Sequence, residues 1–304
     1  MPELSELLLG LERVLGAADG PPIPLSGGIT NRNYRLRFGG RDCVLRLPGQ
    51  DTELLGIDRA SERLAAERAA SLGIGPELLH ADGDCVVTAF VPGTAVDEER
   101  LRADPSQVAR ALRVFHDSGL QLPARFWIPD LLRVYAGTVT RRGGTLPDAF
   151  LRAQVLVDRI ASVLPLTEPV PCHDDLLPGN LIEADGTILL VDWEYSGLGH
   201  RYFDLGNLAV NNDFDEQAEV RLLEAYFGEP GTDVPPTTRS SQLAALRLFR
   251  LVSDAREAAW GVMQGMISQL DFDFAAYADE HFERLERAAA DPRHIEELLN
   301  AATP

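Results

Sequence analysis

What most restricts the fold of this chain is a change of periodicity about ninety residues in. Ahead of it, residues 33–38 and 42–47 are short β-type runs joined through Gly39-Gly40, a pair suited to a tight hairpin turn. Residues 84–90 read as another strand. One helix is expected over 58–72, capped by Asp58 and stopped by Gly73 and Pro76. Val91-Pro92-Gly93 then breaks the chain and suits a hinge. Beyond it, helical spacing dominates over 106–117, 148–164, 216–227, 241–267 and 274–290. One island of strand interrupts, 181–183 and 188–193, around Ala184-Asp185-Gly186-Thr187. The pattern predicts an α+β chain in two lobes with a cleft between them. Residues 1–90 would form an antiparallel sheet plus helix, and 91–304 a larger, mostly helical lobe.

Composition narrows the chemistry. The 304 residues carry a formal charge of −19, which argues against a nucleic-acid partner. All 28 basic residues are arginine. A lysine Schiff base, a lysine nucleophile and a P-loop lysine are therefore excluded. Cys43, Cys85 and Cys172 are scattered without metal-binding spacing, which fits a reducing compartment. The first residues include Glu3, Glu6 and Glu12 and lack the basic start of a signal peptide. No apolar run reaches the ~20 residues that span a bilayer. These features predict a soluble, cytoplasmic protein with no membrane partner and leave its oligomeric state open.

The densest chemistry lies in Pro171-Cys172-His173-Asp174-Asp175-Leu176-Leu177-Pro178-Gly179-Asn180, followed by Val191-Asp192-Trp193-Glu194-Tyr195. If Asp185-Gly186 is a two-residue turn, Ala184 faces Thr187, and Asp192 comes opposite Gly179 and beside Asn180. An Asp and an Asn thus meet at the open end of a hairpin, with Asp175 in the loop before it. Such an oxygen-only set suits Mg²⁺, which completes its shell with phosphate and water. A free Asp beside it suits general-base work on a hydroxyl. Upstream, Ser26-Gly27-Gly28-Ile29-Thr30-Asn31 fits a phosphate-cradling turn, with glycines for close backbone approach and side-chain donors around them. In the strand that follows, Cys43, Leu45 and Leu47 share an apolar face, so Arg46 points the other way.

Taken together, the His-x-Asp-x-x-x-x-Asn run and the later Asp resemble the catalytic segment of protein-kinase-like phosphotransferases that act on small molecules. The group resembled is the aminoglycoside phosphotransferase superfamily, and within it the choline/ethanolamine kinases. The resemblance implies a protein-kinase-like fold and an ATP- and Mg²⁺-dependent kinase. Asp175 would be the base, and Asn180 and Asp192 the metal ligands. His173 would hold the loop. Asp204, in Phe203-Asp204-Leu205-Gly206-Asn207, would brace it, although a helix N-cap is an equal reading for that residue. Ser26, Gly27, Gly28, Thr30 and Asn31 match the family's G-G-x-T-N stretch. Leu45-Arg46 matches its Leu-Arg pair, which makes Arg46 the phosphate cation. Glu62 is its expected helix partner, with Glu67 as the alternative, and adenine would lie near Ala89 and Val91.

On the acceptor side, the stretch from Trp260 to Tyr277 is similar to the C-terminal helices of choline and ethanolamine kinases. There the resemblance implies an aromatic cage for an amine, with Trp260 and Tyr277 as two of its walls. Glu257 stands where the family has a further Trp; it would hold an ammonium or a hydroxyl, or pair with a nearby Arg. Glu194 and Tyr195 match the family's Asp-x-Glu-Tyr pattern and would face the acceptor. The expected partners are ATP and a small cationic or amine-bearing alcohol. An aminoglycoside, thiamine or sugar kinase is the alternative, and a nucleotide-binding pseudokinase a further one.

Overall fold

The computed structural model describes residues 4–25, 31–49, 51–228 and 236–303. Gly39 and Gly40 take φ of 54° and 81°. That geometry lets β2 (Arg32–Phe38) fold back on β3 (Arg41–Leu47) with Phe38 opposite Arg41. With β1 (Ile23–Leu25), β4 (Leu78–Ala81) and β5 (Val86–Ala89) they form an antiparallel sheet in the order β1-β2-β3-β5-β4. One face buries Leu36, Phe38, Cys43, Leu45 and Val87. Helix α1 (Leu4–Leu15), which the sequence reading did not anticipate, closes that face through Leu11.

Helix α2 (Arg59–Ser71) follows its cap as expected, the Asp58 carboxylate accepting from the Ser61 amide at 2.7 Å. Its alanines Ala65, Ala66 and Ala69 pack in a core shared with the helical half of the chain, beside Trp193 and Phe115. The helix that carries Glu62 is therefore anchored to both halves of the molecule.

The remainder runs β6 (Thr94–Ala95), α3 (Glu98–Ala103), α4 (Ser106–His116), α5 (Ile128–Arg141), α6 (Asp148–Val163), β7 (Val170–Cys172), β8 (Leu181–Ala184), β9 (Thr187–Leu190), β10 (Gly197–Gly199), α7 (Arg201–Asn211), α8 (Glu216–Phe227), α9 (Pro236–Ile267), α10 (Phe274–Ala288) and α11 (Pro292–Ala302). The result is the protein-kinase-like α+β arrangement. Helix α9 runs through the largest core, packed with α5, α6, α7, α10 and α11. Helices α5, α7 and α11 were not anticipated from periodicity. Helix α7 meets α9 so closely that a Cβ on Gly206 would lie 2.6 Å from the Phe249 carbonyl carbon.

The expected hairpin forms in the expected register, Ala184 opposite Thr187, with Asp185 and Gly186 at φ of 50° and 76°. It ends one step earlier than the simple extrapolation. The Val191 amide still donates to the Asn180 carbonyl at 3.0 Å, but Pro178–Asn180 wind into a single 3-10 turn and Asp192 takes φ 63°. Both residues thereby turn toward the interlobe cleft.

Candidate active site

The loop after β7 is fixed from behind. The Asp204 carboxylate, on α7, accepts the amides of His173 and Asp174, each at 2.8 Å, and His116 Nε2 at 2.9 Å. Burial pushes this carboxyl up, but the His116 hydrogen bond and charge and the His173 contacts bring it below its ordinary value. It stays an acceptor. The helix cap is instead His200, whose Nδ1 accepts the Tyr202 amide. From the same helix Asn207 Oδ1 accepts the Leu176 amide at 2.5 Å. These bonds hold Asp174 at φ 67°. His173 closes the loop from the front, its Nε2 3.0 Å from the Val191 carbonyl and its ring against Trp193. Asn207 and His116 carry no local pattern that separates them from ordinary helix residues.

Asp175 emerges from this frame 7% exposed, at the junction of the halves. Asn180 Nδ2 donates to its Oδ2 at 3.0 Å and to its carbonyl at 2.9 Å. Burial pushes the Asp175 carboxyl well above the carboxylate range, and the Arg256 guanidinium pulls against that shift. A buried carboxylate with little solvation and a raised proton affinity is suited to take a proton from a hydroxyl.

Across the cleft, Arg46 reaches from β3 into a set of carboxylates. It forms an ion pair with Glu62 and contacts Asp192 Oδ1 at 2.8 Å and Glu194 Oε2 at 3.0 Å. Arg59, unremarked in the sequence, braces the group at 2.6 Å from Glu62 and 3.7 Å from Glu194. Glu67, the alternative partner, pairs with Arg63 at the surface instead. Burial and the neighbouring Asp192 push the Glu194 carboxyl up, while Arg46, Arg59 and an Asn31 hydrogen bond oppose it. Glu194 thus sits on the Arg46 side of the site.

The cleft beside this cluster encloses about 270 Å³, with Arg46, Glu62, Ala89, Val91, Asn180 and Asp192 among its walls. Ser26, Gly27, Gly28 and Thr30 lie outside the described residues. The donor set at the cleft floor fits a hard cation. Asn180 spends its amide nitrogen on Asp175 and Asp192 spends Oδ1 on Arg46, which leaves Asn180 Oδ1 and Asp192 Oδ2 uncommitted among the described residues.

The expected acceptor residues also converge. The Trp260 indole donates to the Tyr195 hydroxyl at 2.8 Å, and the Tyr277 hydroxyl donates to Glu257 Oε2 at 2.8 Å. Rather than an open cage with one carboxylate wall, the group is closed by a residue the sequence reading passed over. Arg256 NH1 donates to Glu257 Oε1 at 2.8 Å and lies 3.5 Å from Asp175 Oδ1. The available signal was an Arg-Glu pair flanked by Ala255, Ala258 and Ala259 just ahead of Trp260.

Comparison with known proteins agrees with this geometry. The phosphotransferase enzyme family matches residues 23–241. Protein LicA of Haemophilus influenzae is 29% identical over 68% of this chain, and the match spans 63% of LicA, a little under two thirds of its length. Ethanolamine kinase 2 of Mus musculus is 28% identical over 83% of this chain and 71% of its own. A crystal structure of a choline/ethanolamine kinase family protein from Mesorhizobium loti superposes with a TM-score of 0.80 at 28% identity, covering 98% of both chains. With an Asp175–Asn180–Asp192 constellation on this fold, the chain belongs to the phosphotransferase enzyme family and is similar, within it, to the choline and ethanolamine kinases.

Proposed function

We propose that the protein transfers the γ-phosphoryl group of ATP, in the presence of Mg²⁺, to the hydroxyl of a small amine-bearing alcohol. The observation that carries this reading is the buried Asp175 carboxylate, tied to Asn180 and felt electrostatically by Asp192, which pairs with Arg46. Similarity to choline and ethanolamine kinases supports the acceptor class.

The residues divide the work. Asp175 orients the acceptor hydroxyl and takes its proton as the oxygen–phosphorus bond forms. Arg46, held by Glu62 and Glu194, meets the phosphate oxygens of the nucleotide. Asn180 and Asp192 would hold Mg²⁺, which when bound neutralises charge on the phosphate oxygens. Asp204 and Asn207 keep the loop amides engaged, so the base needs no rearrangement during transfer. Two carboxylates, Asp175 and Glu257, stand against the single guanidinium of Arg256, a net negative charge on the acceptor side that suits an ammonium.

The test is ADP release by purified protein with ATP, Mg²⁺ and, separately, ethanolamine, choline, thiamine and an aminoglycoside. Product mass identifies the phosphorylated species. Acceptor-dependent release with an amino alcohol, lost on chelation of the metal, is the expected outcome. Release with an aminoglycoside or thiamine alone would overturn the acceptor class, and no release with any alcohol would overturn the activity.

A further inference from the structure

Arg256 heads the fully enclosed side chains of the protein, 2% exposed on α9. Its NH1 is committed to Glu257 and Asp175, but Nε and NH2, both shielded from solvent, have no hydrogen-bond partner among the described residues. Buried donors are ordinarily matched, and a pair left idle beside a reactive carboxylate calls for a bound group to satisfy them. The guanidinium carbon also lies 4.4 Å from the centre of the Tyr195 ring and 5.9 Å from that of Phe126. The protein's own cation therefore covers the Tyr195 ring.

A quaternary ammonium has no N–H to donate and depends on open aromatic faces. Here Tyr195 is taken. Trp260 meets Phe274 and Tyr277 edge-on at 5.8 and 5.4 Å, and its N–H is spent on Tyr195. Glu257, the carboxylate that could balance a permanent cation, already accepts from Arg256, Tyr277 and Asn207. An oxygen on the acceptor would instead meet the idle Arg256 donors. An alcohol with two oxygens can meet both groups, one oxygen accepting from the guanidinium and the other reacting at Asp175.

We propose that Arg256 determines specificity in the acceptor site: the site refuses a quaternary ammonium and takes a small alcohol whose head group carries a second oxygen for Arg256. The proposal rests on the reading of Asp175 as the base of an alcohol phosphotransferase. An amino diol meets this requirement, because one hydroxyl reaches Asp175 and the second finds Arg256.

The test measures kcat/KM for choline, ethanolamine and 2-amino-1,3-propanediol with wild type, Arg256→Leu and Arg256→Gln. Wild type is expected to favour the diol over choline by about 10-fold or more. Arg256→Leu should erase most of that ratio, chiefly through a raised KM for the diol, with Arg256→Gln between the two. A wild-type preference for choline, or an unchanged ratio in a folded variant, overturns the proposal; if the Leu variant does not fold, Gln decides. Calorimetry with tetramethylammonium needs no turnover. No saturable binding up to about 10 mM supports the proposal, and sub-millimolar binding overturns it. If no amino alcohol reacts while tetramethylammonium is still refused, the amine-alcohol reading fails and the exclusion by Arg256 stands.

Discussion

Two arginines belong to the candidate site, one beside Asp192 and one beside Asp175, and they are held in opposite ways. Arg46 comes from the central strand of the five-stranded sheet and spends both terminal nitrogens on Glu62, Asp192 and Glu194. Arg256 comes from the middle of a long buried helix and spends one, leaving two donors idle. In a chain without lysine both cations are planar forks, able to hold two oxygens at once where an ammonium would act as a point charge. A saturated fork is a clamp, fixed before the nucleotide arrives. An unsaturated fork is a receptor. On the proposed reading, Arg46 serves the nucleotide side and Arg256 the acceptor side.

Asp175 should be the most sensitive group. Asp175→Asn keeps the shape and the Asn180 contact but loses the base, and kcat is expected to fall by about 10²–10⁴-fold while Mg-ATP binding, read by calorimetry, is retained. Near-normal turnover would remove Asp175 from its role and dissolve the comparison. Next in size is the scaffold that sets the distance between the two sides. Gly206→Ala would drive a methyl into the Phe249–Arg250 backbone. A loss of about 1–3 kcal/mol is expected in denaturant unfolding, with a fall in kcat because α7 carries Asp204 and Asn207. Unchanged stability would mean that α7 and α9 slide freely.

The last effect concerns acid. His200 caps α7 and stacks on Phe249 at 4.5 Å. Burial, with help from Arg201 and His116, brings its pKa from the ordinary 6.5 to about 4. The unfolded chain binds this proton more tightly. Its contribution is therefore whole above about pH 6.5, shrinks as pH falls toward 4 and is gone below, a change on the order of 3 kcal/mol. His200→Asn keeps a capping side chain and lacks the titration. Urea titrations across that window should show the wild type losing its advantage over the variant. Parallel curves would contradict the assignment.

The asymmetry between the arginines also explains what could be read from the chain. Arg46 was legible because strand alternation fixes its face and Gly39-Gly40 fixes the strand. The Asp192–Asn180 meeting was legible because Asp185-Gly186 admits one register. Asp204 was legible as a brace through resemblance, while its helix was foreseen only through the N-cap reading, which put the start at the wrong residue. Arg256 was not legible, because α9 is buried on nearly every side and no apolar stripe singles out a polar position. Glu257 was placed by the same resemblance in a cage, with pairing to a nearby Arg as the other reading, and it is the pairing that the structure contains. Its neutralisation by the preceding residue depends on how α9 rotates against Tyr195 and Tyr277, which is a tertiary fact. His116 and Asn207 act over separations of 88 and 31 residues, beyond any local pattern.

The division of labour is tested most directly by measuring the KM for ATP and the KM for the acceptor in Arg46→Lys and Arg256→Gln together. Arg46→Lys keeps the charge but loses the fork, and should raise the KM for ATP by about 10-fold with the acceptor KM nearly unmoved. Arg256→Gln should do the reverse. If both variants shift both constants alike, the two arginines serve one undivided site and the account is wrong.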